Sequence, residues 1–174
     1  MVYYRDDTII IRNLEEKDIP CIVEEERAQG YHGDETKYRM RLQDQQEGRS
    51  VALAAEYEGS PAGYVNVYFD AQEGPLGGKG YPEIVDFGVL EKYRRRGIGT
   101  KLMDTAERIA GQHGDTVYLG VGLHSGYGSA QRMYVKRGYI PDGSGVWYND
   151  SVCEPYAPCR NDDGLNLYLI KKLR

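Results

Sequence analysis

EKYRRRGIGTKLMDTAERIA, residues 91–110, follows directly on EIVDFGVL, residues 83–90. The upstream stretch is rich in β-branched and aromatic residues and reads as a strand. Downstream, Ile98, Leu102, Ala106, Ile109 and Ala110 recur at helical spacing, which predicts a helix over residues 96–110 with one apolar face. Gly97 and Gly99 stand where strand becomes helix. Glycine at such a turn lets the backbone come close to an anion with several N–H groups aimed at it. The helix N-terminus adds its positive end, and Arg94, Arg95 and Arg96 supply full charges for phosphate oxygens. Strand, basic glycine turn and helix together describe a polyphosphate site. Two nucleotide motifs are excluded. No Gly-Lys-Ser/Thr ending follows the glycines, and the GxGxxG fingerprint fails because residue 102 is leucine.

Outward from this unit, residues 116–123 alternate Val117, Leu119, Val121 and Leu123 with small or polar neighbours, a strand with one packed face. Residues 129–137 read as a short helix stopped by Gly138. Strand character returns at Tyr139 and Ile140 and again at 146–148 beyond a glycine-rich turn, and residues 165–170 form the last strand. Upstream, residues 8–12 read as a first strand, and Asn13 is placed to cap a helix reaching Arg27, which Gly30-Tyr31-His32-Gly33 breaks. Residues 34–46 are expected as a second, largely exposed helix, and 50–57 with 62–69 as a hairpin around Gly59-Ser60-Pro61. Residues 70–81 and 151–163 read as loops. The predicted fold is α/β, with a mixed sheet flanked by antiparallel hairpins and helices. The length of 174 residues predicts a single domain.

Composition narrows the function classes. Hydrophobic residues make up 40% and charged residues 28%, ordinary values for a globular chain. The 22 basic and 27 acidic residues leave a formal charge of −5, which argues against general nucleic-acid binding and favours cationic partners. Cys21, Cys153 and Cys159 have no framework spacing, and His32, His113 and His124 match no common zinc motif, so no metal is expected. Their number and spacing fit a reducing, cytoplasmic location. MVYYRDDTIIIRN lacks a basic end followed by a long apolar run, so neither a secretory signal nor a membrane association is expected.

Tyr93-Arg94-Arg95-Arg96-Gly97-Ile98-Gly99-Thr100 resembles the acetyl-CoA pyrophosphate loop of the GNAT superfamily of N-acetyltransferases, whose Gln/Arg-x-x-Gly-x-Gly/Ala pattern is met by Arg94, Gly97 and Gly99. A second block, residues 130–139 (AQRMYVKRGY), resembles the family's A-x-x-[LM]-Y-x-K-x-G-[FY] segment. The resemblance covers residues 50 to 148 well and the first strand and helices loosely. It implies a GNAT-like sheet, mostly antiparallel, with a central splayed pair of parallel strands, here 83–90 and 116–123. It also implies acetyl-CoA as cosubstrate and direct acetyl transfer to a small-molecule or protein amine. A homodimer is one assembly left open.

The resemblance assigns roles residue by residue. Phe87, Gly88 and Val89 would hold the pantetheine arm through backbone amides, with the Val89 amide polarising the thioester carbonyl in the manner of an oxyanion hole. Arg94, Arg95, Arg96, Gly97, Ile98, Gly99 and Thr100 would hold the diphosphate. Tyr134 would be the general acid toward the departing thiolate. Glu83 would be the general base, with Asp86 an alternative that strand alternation puts on the opposite face. Many members carry asparagine where this chain has Tyr127; Ser129 is the candidate helix cap there and joins the cofactor-binding set. Acceptors would approach Glu24, Glu25, Glu26, Tyr31, His32, Trp147, Tyr148 and the 151–163 loop, although Glu24–Glu26 also fit a plain solvated helix face. No cysteine has a nucleophile context, which argues against an acyl-enzyme. The alternative function is a non-catalytic acyl-CoA sensor.

Overall fold

The computed structural model of the chain describes residues 1–173. In chain order the elements are β1 (Val2–Arg5), β2 (Ile9–Asn13), a 3-10 turn (Glu16–Asp18), α1 (Ile19–Ala28), α2 (Glu35–Gln46), β3 (Ser50–Tyr57), β4 (Ser60–Tyr68), β5 (Glu83–Val89), α3 (Ile98–Ala110), β6 (Thr116–Gly122), α4 (Gly128–Lys136), β7 (Ile140–Tyr148), β8 (Ser151–Val152) and β9 (Leu165–Lys172). The architecture is α/β, a mixed and mostly antiparallel sheet with one parallel pair, flanked by helices. The residues group into two compact units. One comprises Met1–Tyr68 with Ile84–Ala110, the other Phe69–Glu83 with the chain from Gly111 onward.

In the first unit the strands lie in the order β1-β2-β3-β4-β5. β3 and β4 pair from Ser50↔Tyr68 to Tyr57↔Ser60, and their turn residues Glu58 and Gly59 both have positive φ, 49° and 83°. Positive φ at both positions gives the turn the twist that a tight hairpin needs, and β4 therefore starts at Ser60, two residues before the expected position. β1 was not read from the sequence. It pairs antiparallel with β2, from Val2↔Arg12 to Arg5↔Ile10.

Helix α3 buries Ile98, Leu102, Ala106, Ile109 and Ala110, as its spacing predicts, and adds Met103 and Thr105. Helix α2 corrects an expectation: it is not simply exposed, because Tyr38 and Leu42 join Leu14, Ile19, Ile22, Val23, Ala52 and Ala54 in one apolar cluster. The entry to α1 is also corrected. Glu15 and Asp18 form a capping box, while Asn13 turns away and donates from Nδ2 to Gln45 Oε1 at 2.6 Å. Arg12, only 7% exposed, is held by Asp18 at 2.7 Å and Glu56 at 2.5 Å, so its buried charge is paired. Gly63 is small for a reason: a Cβ there would lie 2.7 Å from Gly88 O, so β4 and β5 pack backbone against backbone.

In the second unit the order is β6-β9-β7-β8. β6 pairs antiparallel with β9 from Thr116↔Lys172 to Gly122↔Asn166. β7 was expected as separate segments but runs on as one strand. Gly143 and Gly145, with φ of 90° and 87°, take up a register shift between Pro141 and Val146. β8 lies in the stretch expected as loop and pairs Trp147↔Val152. Glu83, the first residue of β5, pairs in parallel with Tyr118, and among the described residues that is the single register of the parallel ladder. No helix among the described residues is long and apolar enough to cross a membrane.

Candidate functional site

β5 ends at Val89, and the Leu90 N–H donates to Ala62 O at 2.9 Å. After a 3-10 turn at Glu91–Tyr93 the chain reverses into α3 through Arg95 (φ 62°) and Gly97 (φ 81°). The two glycines serve different ends. A Cβ on Gly97 would meet nothing within 4 Å, so glycine answers there to the left-handed backbone. A Cβ on Gly99 would lie 3.1 Å from Phe87 Cζ and 3.5 Å from Val89 Cγ2. Glycine at 99 therefore seats the start of α3 on the end of β5.

The first N–H groups of α3 have no acceptor within the helix, and the surrounding Arg94, Arg95, Arg96, Gly97 and Thr100 are exposed. Arg94 Nε donates to Val89 O at 3.2 Å, which ties the arginine run back to the strand end. The Arg96 guanidinium lies 4.9 Å over the Tyr57 ring. Ile98 is 1% exposed, so only its backbone faces the turn. The structure thus brings Phe87, Gly88, Val89 and the 94–100 turn together. An open, basic helix start of this kind fits a diphosphate.

Asp86 has φ 54°, a strained value for a non-glycine residue inside a strand, and pairs with Arg41 at 2.7 Å. That ion pair engages one oxygen of its carboxylate with the Arg41 guanidinium.

In the second unit Glu83 is 8% exposed beside Tyr118 and Tyr168. Burial first, then the Glu83 charge, pushes the Tyr118 phenol up and Tyr168 up to about 12. Tyr118 Oη donates to Glu73 O at 3.0 Å, and Trp147 stands edge-on to Tyr168 at 5.4 Å. Sequence reading missed Tyr118 and Tyr168. The alternation of β6 and β9 carries their placement, but nothing in either strand marks a tyrosine as facing a carboxylate.

Tyr134 lies on α4, 6% exposed, with its ring 5.8 Å from Tyr139. Burial raises its phenol well above the usual tyrosine value, and Tyr127 adds to the shift. Ser129 does not cap α4. The helix starts at Gly128, Tyr127 is the residue before it, and no side chain caps the first turn. Tyr127 does something else: its ring fills the space over Gly122, where a Cβ would collide with the ring, and its hydroxyl donates to Asp163 at 2.9 Å.

Among the expected acceptor-side residues, Glu25 pairs with Lys92, Tyr31 is 54% exposed, His32 is exposed, and Tyr148 Oη donates to Asp162 at 3.2 Å. Glu26 is buried and hydrogen-bonded, unlike the solvated helix face that Glu24–Glu26 otherwise suggest. The three cysteines are free thiols; burial raises Cys21 and Cys153, and Cys159 adds to the shift of Cys153. Raised thiols are poor nucleophiles near neutrality. No group of His, Cys, Asp or Glu among the described residues is placed to hold a metal ion.

These tyrosines carry a pH signature. Tyr38, Tyr118 and Tyr134 are 2%, 0% and 6% exposed, and all three phenols are raised. A raised folded value means that the folded state holds its proton more tightly than the unfolded chain. Stability is then full below the unfolded tyrosine value of about 10 and falls as pH rises above it. At pH 11 each such tyrosine has lost about 1.4 kcal/mol, so the three together lose about 4 kcal/mol. Urea unfolding at pH 9 and pH 11 checks this. The part of the tyrosinate absorbance that belongs to these three buried tyrosines should appear together with unfolding, not ahead of it.

Comparison with known proteins bears on the family and the fold. Residues 17–139 match the family described as Acetyltransferase (GNAT) family. No curated protein matches the sequence. Several solved structures share the fold. YncA from Salmonella typhimurium, a putative acetyltransferase solved with its cofactor acetyl-CoA, is 17% identical with a TM-score of 0.67, over 97% of this chain and 95% of that one. Ribosomal-protein-alanine N-acetyltransferase from Brucella melitensis is 18% identical with a TM-score of 0.65, over 93% and 98%. Naa50 from Arabidopsis thaliana, in complex with the bisubstrate analogue CoA-Ac-MVNAL, is 15% identical with a TM-score of 0.64, over 95% and 99%. With a family match over most of its length, the chain belongs to the acetyltransferase (GNAT) family.

Proposed function

We propose that this acetyltransferase is an N-acetyltransferase that moves the acetyl group of acetyl-CoA directly to an amine, without an acyl-enzyme. The observation that carries the reading is the turn of Arg94–Thr100 closed on the end of β5. A left-handed Gly97, a Gly99 seated against Phe87 and Val89, and three exposed arginines surround the open N–H groups of α3. These residues bind the diphosphate, while the backbone of Phe87, Gly88 and Val89 orients the pantetheine arm. The thioester supplies the activated acyl group. The Val89 amide donates toward its carbonyl oxygen, where charge grows as the amine attacks.

The attacking amine must be neutral, so its ammonium proton leaves before the new N–C bond forms. Glu83, desolvated beside Tyr118 and Tyr168, takes that proton directly or through water. As the C–S bond breaks, Tyr134 donates a hydrogen bond to the sulfur. Its phenol is a weaker acid than a free thiol, so it stabilises the thiolate more than it protonates it fully. The raised thiols of Cys21 and Cys153 fit direct attack and not a covalent intermediate. Protein amines are the favoured acceptors, since a ribosomal-protein-alanine acetyltransferase and a protein solved with a CoA–peptide conjugate share the fold.

Initial rates measured while both acetyl-CoA and acceptor are varied test the direct route. Intersecting double-reciprocal lines are expected. Parallel lines, together with a stable mass gain of one acetyl group on the protein, would show an acyl-enzyme and overturn it.

A further inference from the structure

The first unit holds a built cation site that no step above uses. Glu26 of α1 is 5% exposed, and its Oε1 accepts two hydrogen bonds, from Tyr38 Oη at 2.6 Å and Tyr64 Oη at 2.5 Å. Its second oxygen, Oε2, is buried and has no hydrogen-bond partner. A buried carboxylate oxygen without a donor is costly, so such an oxygen marks a place where a donor belongs. The two tyrosine rings meet at 84° with centroids 5.2 Å apart, which makes two walls of a box. Lys37 of α2 reaches into that box. Its Nζ lies 4.5 Å over the Tyr38 ring, 5.2 Å over the Tyr64 ring and 3.7 Å from Glu26 Oε1. Ring faces and a carboxylate are the recognition chemistry of an alkylammonium.

Two further observations tie the box to a ligand. Tyr38 and Tyr64 also line a small cavity with Arg41, Asn66 and Asp86. Asn66 is 2% exposed, and neither its amide oxygen nor its amide nitrogen has a partner. Tyr64 also stands against β5, since a Cβ on Gly88 would lie 2.9 Å from its Oη. The box therefore abuts the strand assigned above to the pantetheine arm.

We propose that Glu26, Tyr38 and Tyr64 form the recognition site for an acceptor bearing an aliphatic primary ammonium, and that Lys37 occupies this site as a resident competitor. This rests on the amine-acceptor reading above and names its substrate class. The Lys37 side chain is 31% exposed, so it has a path out to solvent. The box then takes the incoming ammonium against the same two ring faces and the Glu26 carboxylate, which accepts from its N–H donors.

Two substitutions predict opposite signs. Glu26→Gln keeps an oxygen for both tyrosine donors and removes the charge. Lys37→Met keeps the apolar stem and removes the competitor. Calorimetric titration of the intact protein with 1,4-diaminobutane, and with n-propanol as the uncharged probe, reads both. Binding of the diamine should weaken about tenfold or more in Glu26→Gln and tighten about tenfold in Lys37→Met, with n-propanol bound by neither. Unchanged affinity in Lys37→Met, or wild-type affinity in Glu26→Gln, would overturn the proposal. Should Glu26→Gln lose its folded circular dichroism, the sign of the Lys37→Met change decides alone. Thiol release separates the two levels. Turnover of amines by a Glu26→Gln protein at the wild-type KM sinks the cation site and spares the transferase. The expected binding changes without thiol release from any amine would do the reverse.

Discussion

Replacing Gly99 by valine is expected to weaken acetyl-CoA binding about 100-fold while the chain remains folded. Two effects act together. The branched side chain meets Phe87 and Val89, so the start of α3 lifts off the end of β5 and its first N–H groups no longer converge on a diphosphate oxygen. Losing two charge-assisted hydrogen bonds at about 1.5 kcal/mol each gives about 3 kcal/mol, which is that factor. The new side chain also pushes on Phe87, whose Cζ lies 3.1 Å from a Cβ at this position, and so disturbs the end of β5. Overpacking of this kind costs about 1–3 kcal/mol of stability, too little to unfold a chain of ordinary stability. Calorimetry with acetyl-CoA and a thermal melt measure the two separately. Wild-type affinity in Gly99→Val would remove the diphosphate from this turn.

Tyr134→Phe should lower kcat about 100-fold and leave the affinity for acetyl-CoA nearly unchanged. General-acid assistance is worth about 10²–10⁴-fold, and a thiolate is already a fair leaving group, so the lower end applies. The raised phenol points the same way, because a hydrogen bond that does not complete proton transfer supplies less than full protonation. The ring would keep its edge contact with Tyr139 at 5.8 Å, and losing one hydroxyl costs about 1–2 kcal/mol of stability at most. A fall in kcat at constant binding reads as an interaction made mainly in the transition state. Unchanged kcat would leave Tyr134 a packing residue.

What the sequence made legible lies where local chemistry and periodicity agree. The step from β5 through Gly97 into α3 could be read because the glycines, the arginines and the apolar face of α3 all point to one strand–turn–helix unit. The β3–β4 hairpin was legible for the same reason. β7 was not, because Gly143 and Gly145 look like a break and instead carry a register shift inside one strand. Capping went to Glu15, at the 3-10 turn that leads into α1, and not to Asn13, since Asn13 finds Gln45, thirty-two residues away in sequence. Glu26 shows the limit most clearly. Within Glu24-Glu25-Glu26 it looks like its neighbours, and only the folded chain brings Tyr38 of α2 and Tyr64 of β4 to its carboxylate. The cation site is thus a product of three elements brought together, and no window of the chain contains it. Ser129 failed as a cap because α4 starts one residue earlier.

The most direct measurement is thiol release from acetyl-CoA by the intact protein, with and without a panel of amines that includes a short peptide with a free N-terminus and an aliphatic diamine. Thiol should appear only when an amine is present, in step with an N-acetylated product that has gained one acetyl group. Tight binding of acetyl-CoA with no thiol release above the protein-free rate for any amine would contradict an acetyl transferase acting on amines and leave a protein that only binds acyl-CoA.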